Sequence, residues 1–166
     1  MKRILSSCKP GGAGFTLPEV IIAVVILGIV ASVGSLMFQA VNEKSRLAVA
    51  SSNALSDLRY AQETAMAEHR DVNFTVNASG NSYAATYAVT GAAVKSPQKQ
   101  SESLVVVLGV DETTGVSITA ANPTVTFNSD GIPFIGGVDL AGPLTVMTLN
   151  GERSIVLMPS GYSEVQ

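Results

Sequence analysis

Cysteine, histidine and charge are all scarce in this chain of 166 residues, and each scarcity closes off a class of chemistry. There is one cysteine, Cys8, and one histidine, His69. A disulfide framework, a Cys/His zinc site and any Cys–His or Ser–His catalytic arrangement therefore lack parts. Charged residues make up 14% of the chain, against roughly 25% in ordinary soluble domains. Hydrophobic residues reach 46%, a balance that points towards a membrane or an assembly. The 10 Lys+Arg against 13 Asp+Glu leave a formal net charge of -3. That is not the basic excess on which generic nucleic-acid binding draws. The length suits one domain with a core of its own.

What the chain does have is one long apolar run. Residues 20–42, VIIAVVILGIVASVGSLMFQAVN, hold 23 residues without a charge. At about 1.5 Å per residue, a helix of this length spans the roughly 30 Å hydrocarbon core of a bilayer. A core helix apolar all round and this long would need a large protein around it. Ahead of the run lie Lys2, Arg3 and Lys9 and no acid, which argues for a cytoplasmic N-terminus with the remainder on the far side. A secretory signal places its small cleavage-site residues after the apolar stretch; here the glycines come before it, so the segment anchors rather than disappears. Leu5-Ser6-Ser7-Cys8 formally matches a lipoprotein box, but Ile4 and Leu5 are its whole apolar lead-in.

Glu19 is the anomaly, a carboxylate at the mouth of the apolar run. A helix N-terminus favours an acid, and Pro18 suits a first helical turn. An ionised group at membrane depth is nonetheless costly, which makes it a functional candidate that needs a partner.

Gly14-Phe15-Thr16-Leu17-Pro18-Glu19-Val20, with a basic leader before it and an apolar helix after it, resembles the class III signal of type IV pilins and type II secretion pseudopilins. The resemblance implies that a prepilin peptidase cuts between Gly14 and Phe15 and methylates the new amine of Phe15. It also implies that Glu19 pairs with the amine of a neighbouring subunit during assembly, a charge pair that sets axial register while apolar helices supply packing. Loss of Lys2, Arg3 and Lys9 with the leader would take the 10 basic residues to 7 against an unchanged 13 acids, and would remove Cys8.

Beyond the run, Leu47, Ala50, Ala54, Leu58, Ala61 and Ala65 recur at spacings of three and four and draw one apolar stripe. One helix from about Leu17 to Glu68 is expected, on the order of 75 to 80 Å long. Asp57, Arg59, Glu63, Glu68 and Arg70 read as a solvated face, and His69 as a favourable charge at the helix C-terminus rather than a ligand. From residue 72 the period changes to alternation, with strands expected at 72–76, 82–89, 104–110, 116–120, 124–127, 144–149 and 153–158. Asn77 to Asn81, Asp111 to Gly115 and Asn128-Ser129-Asp130-Gly131 read as turns, and Asn150-Gly151 as a tight hairpin. Residues 90–103 have linker composition and are expected to form a mobile loop.

The expected class is α+β and pilin-like: a long N-terminal α-helix, the membrane and filament stalk, packed against an antiparallel β-sheet head. The divisions are a cleaved leader 1–14, a transmembrane and filament-core half-helix 15–42, and a periplasmic head 43–166 made of half-helix 43–70 and β region 72–166. The head, through SNALSDLRYAQETAMAEHRDVNFTV, VTFNSDGIPFIGG and LTVMTLNGERSIVLMPSGYSEV, is similar to minor pseudopilins of the GspH/FimT type. Those share a helix end with Arg and Ala, an F-x-x-x-G turn and a closing hairpin ending in glycine.

The implied role is a non-enzymatic minor pseudopilin or minor pilin of a type II secretion pseudopilus or type IV pilus. Its partners would be the prepilin peptidase, other pilins or pseudopilins and an inner-membrane assembly platform. It would sit as a single-pass inner-membrane protein with a periplasmic head before entering the filament. No cofactor or metal is expected. A FimT-like DNA-binding minor pilin is the alternative, but Arg153 is the only basic residue after Lys99. A membrane-anchored enzyme is the remote alternative. The candidate acids Asp111, Glu112, Asp130, Asp139 and Glu152 all lie in or beside turn signals, and Ser160-Gly161 lacks the rest of a nucleophile elbow. Nor does any EF-hand spacing mark a calcium loop.

Overall fold

The structure, a computed structural model, describes residues 14–99, 101–122 and 124–166, and of residues 33–37 and 40 the backbone alone. Residues 1–13, with Cys8 and the basic side chains of the expected leader, lie outside the described residues. The chain divides into two compact units, Met1–Val41 and Asn42–Gln166. Helix α1 is Leu17–Glu68.

In the first unit every described side chain from 14 to 32 is exposed. The large apolar ones are among the most open in the molecule, Phe15 at 80% and Leu17 at 75%.

In the second unit the stripe anticipated from spacing is the buried face of α1. Leu47, Ala50, Ala54, Leu58, Ala61 and Ala65 are all buried. Alanine at four of the six positions keeps this face of the helix flat, a surface that packs densely. The helix stops in a Schellman turn, in which Arg70 N donates to Ala65 O at 3.1 Å and His69 takes φ 51. Glycine usually occupies that left-handed position; histidine holds it here.

Ten strands follow. β1 (Val72–Asn77), β2 (Ser82–Tyr87), β3 (Val105–Val107), β5 (Thr124–Phe127), β6 (Pro133–Ile135) and β7 (Val138–Asp139) build a sheet in the order β3-β2-β1-β5-β6-β7. β4 (Ile118–Ala121), β8 (Leu144–Leu149), β9 (Arg153–Leu157) and β10 (Ser163–Val165) build a second in the order β10-β9-β8-β4. All the pairings are antiparallel. Between Ala121 and Thr124 the chain passes from one sheet to the other, and Asn122 ties the switch to β8 by donating from its N to Val146 O and from Nδ2 to Thr145 O.

The alternation of β1, VNFTVN, turns Val72, Phe74 and Val76 into the core. Phe74 stacks on Tyr83 of β2 with ring centroids 5.4 Å apart. In β8 the alternation breaks: a register shift between Thr145 and Met147 leaves both Val146 and Met147 buried, as a bulge allows.

Several expectations are corrected. β2 ends at Tyr87 rather than continuing to residue 89, and β3 is three residues long instead of seven. Strands β6, β7 and β10 are additional, each too short for an alternation signal. Gly136-Gly137, with φ 59 and 84, closes the β6–β7 hairpin, a glycine pair whose hairpin meaning is legible beforehand. Within the stretch expected as a mobile loop, Val94 is held to the sheet and is 1% exposed. Val94 N donates to Ala85 O, Ala85 N to Leu104 O, and Leu104 N to Val94 O. Asn150-Gly151 does turn the β8–β9 hairpin, with φ 50 and 71.

Candidate functional site

The three residues singled out for processing and assembly lie in the first unit. Gly14 has open space where a side chain would stand, and Phe15 beside it is exposed. Thr16 caps helix α1: its carbonyl accepts from Glu19 N at 3.0 Å and Val20 N at 3.2 Å. The Glu19 carboxylate reaches back, its Oε2 accepting from Thr16 N at 3.4 Å. This is one half of a capping box, so Glu19 has a local role in the helix start as well as the one implied for it in assembly. Both fit an acid near the positive end of a helix. From 20 to 32 no described side chain is charged, and all are exposed.

Among the described residues no helix is long and apolar enough to cross a membrane. The side chains of residues 33–37 and 40, inside the expected span of 15–42, are outside that description.

In the second unit, two glycines of the sequence pattern meet the same helix face. Gln62 donates from Nε2 to Gly131 O at 2.8 Å. A Cβ on Gly131 would lie 2.7 Å from Met66 Sδ. One on Gly161 would lie 2.2 Å from Gln62 Nε2 and 2.9 Å from Gly131 O. Both glycines also have positive φ, 77 and 84. The F-x-x-x-G turn and the glycine of the closing turn are therefore contact points that fix both sheets' loops to α1. Arg59 extends the same seam by donating to the hydroxyl and carbonyl oxygens of Ser163 in β10.

Asn81 holds the two sheets together. Its Nδ2 donates to Leu108 O at 2.8 Å and Val116 O at 2.9 Å, and its Oδ1 accepts from Ile118 N at 2.7 Å. A turn residue by sequence, it acts as a tertiary clip.

Asp57 does not belong to a solvated face. It is 8% exposed, and its Oδ2 accepts from the buried Tyr83 hydroxyl at 2.8 Å. Burial pushes the Asp57 carboxyl above its ordinary pKa, and the Tyr83 bond offsets part of that rise. The Tyr83 hydroxyl is itself pushed far up by burial and by the adjacent carboxylate. The spacing held the clue: Asp57 follows Ala54 by three and precedes Ala61 by four, which places it on the stripe. Glu63, Glu68 and Arg70 are exposed as expected, and Arg70 lies over the Tyr87 ring at 4.3 Å. Asp111, Glu112, Asp130, Asp139 and Glu152 are all exposed. Among the described residues no group of three or more His, Cys, Asp or Glu is placed to hold a metal ion.

An N-terminal helix with an uncovered apolar surface, and an antiparallel head packed on an alanine-rich helix face, define a pilin-like subunit. Compared with known families, residues 11–35 match the prokaryotic N-terminal methylation motif, and residues 50–161 match the family described as type II transport protein GspH. The chain belongs to this GspH family, whose members are structural pseudopilins of type II secretion or type IV pilus machinery. No match was found among curated proteins or among solved structures.

Proposed function

We propose that this chain is a minor subunit that is cut between Gly14 and Phe15, methylated on the Phe15 amine by the prepilin peptidase, and assembled into a filament through its N-terminal helix. Before assembly it is a single-pass protein of the inner membrane, with its N-terminus cytoplasmic and its head periplasmic, and the assembly platform moves it into the filament beside other pilins or pseudopilins. The observation that carries this reading is the run of exposed, uncharged side chains from 20 to 32, preceded by an equally exposed Phe15. An apolar surface of that kind needs lipid or neighbouring helices to cover it.

Glu19 supplies what apolar packing lacks. Lipid-facing helices slide past one another at little cost, whereas a carboxylate in hydrocarbon costs about 2.5–3.5 kcal/mol unless it finds a partner. The methylated Phe15 amine of an adjacent subunit is that partner, and the pairing sets axial register. Mass spectrometry of the protein from membranes and filaments tests the processing step: the mature chain should begin at methylated Phe15, and an intact Met1 refutes it. Glu19→Ala should be cleaved at the normal site yet recovered from filaments at about a tenth of the wild-type level or less, in line with the hydrocarbon cost of an unpaired charge. Normal incorporation removes Glu19 from the mechanism.

A further inference from the structure

The head contains a buried carboxylate, Asp57, that takes no part in processing or in the register pair. Among the described residues the Tyr83 hydroxyl is the sole hydrogen-bond partner of the Asp57 carboxylate, and it engages Oδ2. Among the described residues no fully buried side-chain nitrogen or oxygen of a non-exposed residue lacks a partner, so the unpartnered Oδ1 is not sealed inside the core. Asp57 lines a cavity of about 420 Å³ between helix α1 on one side and Pro97 and Gln98 on the other. Neutral Asn53, Ser56 and Tyr60 also line it, and Glu63 adds a second acid.

The one cation in the wall is Arg59, and its guanidinium is turned to Ser163. The ion pairs among the described residues are Arg70–Glu68 and Lys99–Glu102, so neither Asp57 nor Glu63 is paired with a described cation. A carboxylate largely removed from water and holding one hydrogen bond is energetically exposed. A cation with N–H donors relieves that cost, and the cavity has room for its head group and several waters of about 30 Å³ each.

We propose that this cavity receives a lysine or arginine side chain from a neighbouring subunit in the filament, with Asp57 Oδ1 as the anchoring acceptor and Glu63 raising the negative potential at the opening. The inference rests on the filament reading above and adds a head-to-head contact to it. A carboxylate held by Tyr83, largely buried and sharing its cavity with Pro97 and Gln98, selects a long basic side chain over a flat polar surface. Such a contact fixes the rotation of the head, which a register pair between N-terminal segments leaves free.

The test places a photo-crosslinking amino acid at position 98 of the full-length protein in cells that build the filament. The expected result is an adduct with another filament subunit that maps beside a lysine or arginine. Asp57→Asn keeps an acceptor for Tyr83 but removes the charge, and should lower the adduct by about tenfold or more, the usual worth of a charge-assisted hydrogen bond. Replacing the mapped basic residue by glutamine should lower it equally. Tyr83→Phe retains the carboxylate and should keep the adduct, so loss in both variants points to a merely structural role and overturns the proposal. It is equally overturned by an adduct undiminished in Asp57→Asn, by one on a stretch without a basic residue, or by no adduct from wild type that is present in filaments. Absence of the wild-type protein from filaments refutes the assembly reading itself, and this inference with it.

Discussion

Gly161→Ala should be among the most damaging single-methyl additions the head can receive. The residue stands at φ +84, where a Cβ would sit 2.2 Å from Gln62 Nε2 and 2.9 Å from Gly131 O. Three costs combine. The left-handed backbone conformation costs an alanine about 1–2 kcal/mol. Displacing Gln62 breaks its hydrogen bond to Gly131 O, worth about 0.5–1.5 kcal/mol. Opening the seam against the Gly131 carbonyl, which unlike Gln62 cannot rotate away, adds about 1–3 kcal/mol of overpacking. The expected total is about 3–5 kcal/mol. Gly137 provides the control, since it has the same φ of +84 with nothing within 4 Å of its Cβ. Gly137→Ala should therefore cost only the backbone part, about 1–2 kcal/mol. Thermal unfolding of the full-length protein in detergent, followed by circular dichroism, separates the two. At about 3–5 °C per kcal/mol for a head of this size, Gly161→Ala should melt on the order of 10 °C below Gly137→Ala. Melting temperatures within about 2 °C of each other, a difference worth under 1 kcal/mol, would show that the glycine is kept for its φ alone and that the clamp on α1 carries no energy.

Other consequences follow from the same geometry. Asn81→Ala removes three hydrogen bonds, two of which, to Val116 and Ile118, join the two sheets, and should cost about 2–4 kcal/mol in denaturant unfolding; a loss under about 1 kcal/mol would mean that the sheets hold together without it. His69→Gly should stabilise the head by about 1 kcal/mol, because His69 occupies the left-handed stop of the Schellman turn at φ 51; a lower melting temperature contradicts that reading. For Asp57, burial raises the folded pKa above the unfolded value. Its favourable contribution is thus complete below the unfolded pKa and is lost as pH rises through the folded one. Asp57→Asn in the isolated subunit should gain on wild type as pH is raised from 4 to 8, and a melting-temperature difference that stays flat across that range refutes the assignment.

Several elements were legible because one local pattern sufficed for each. The stripe from Leu47 to Ala65 is a matter of three-and-four spacing, and all six of its residues are buried. Asn150-Gly151 turns a hairpin because both residues tolerate positive φ, a property of the dipeptide itself. Asp57 shows the limit of the same reading. Its spacing put it on the stripe, but its charge argued for solvent, and only the Tyr83 hydroxyl arriving from β2 makes burial tolerable. Likewise β6, β7 and β10 are two or three residues long, so they exist as strands only because a longer neighbour offers its edge.

The sequence by itself determined the features of the N-terminal segment: a methylation motif over residues 11–35 that includes Gly14, Phe15 and Glu19, and an uncharged run that water alone does not satisfy. Those are local facts, since each depends on residue type and on distance along the chain. The tertiary structure alone decided that the strands form two sheets instead of one, that Gly131 and Gly161 meet on one face of α1, and that Asp57 lines a cavity whose one cation among the described residues, Arg59, is turned to Ser163. Each of these brings together residues tens of positions apart, and no periodicity along the chain encodes such a meeting. It follows from which side chains can be buried together once the helix and strands compete for the same core.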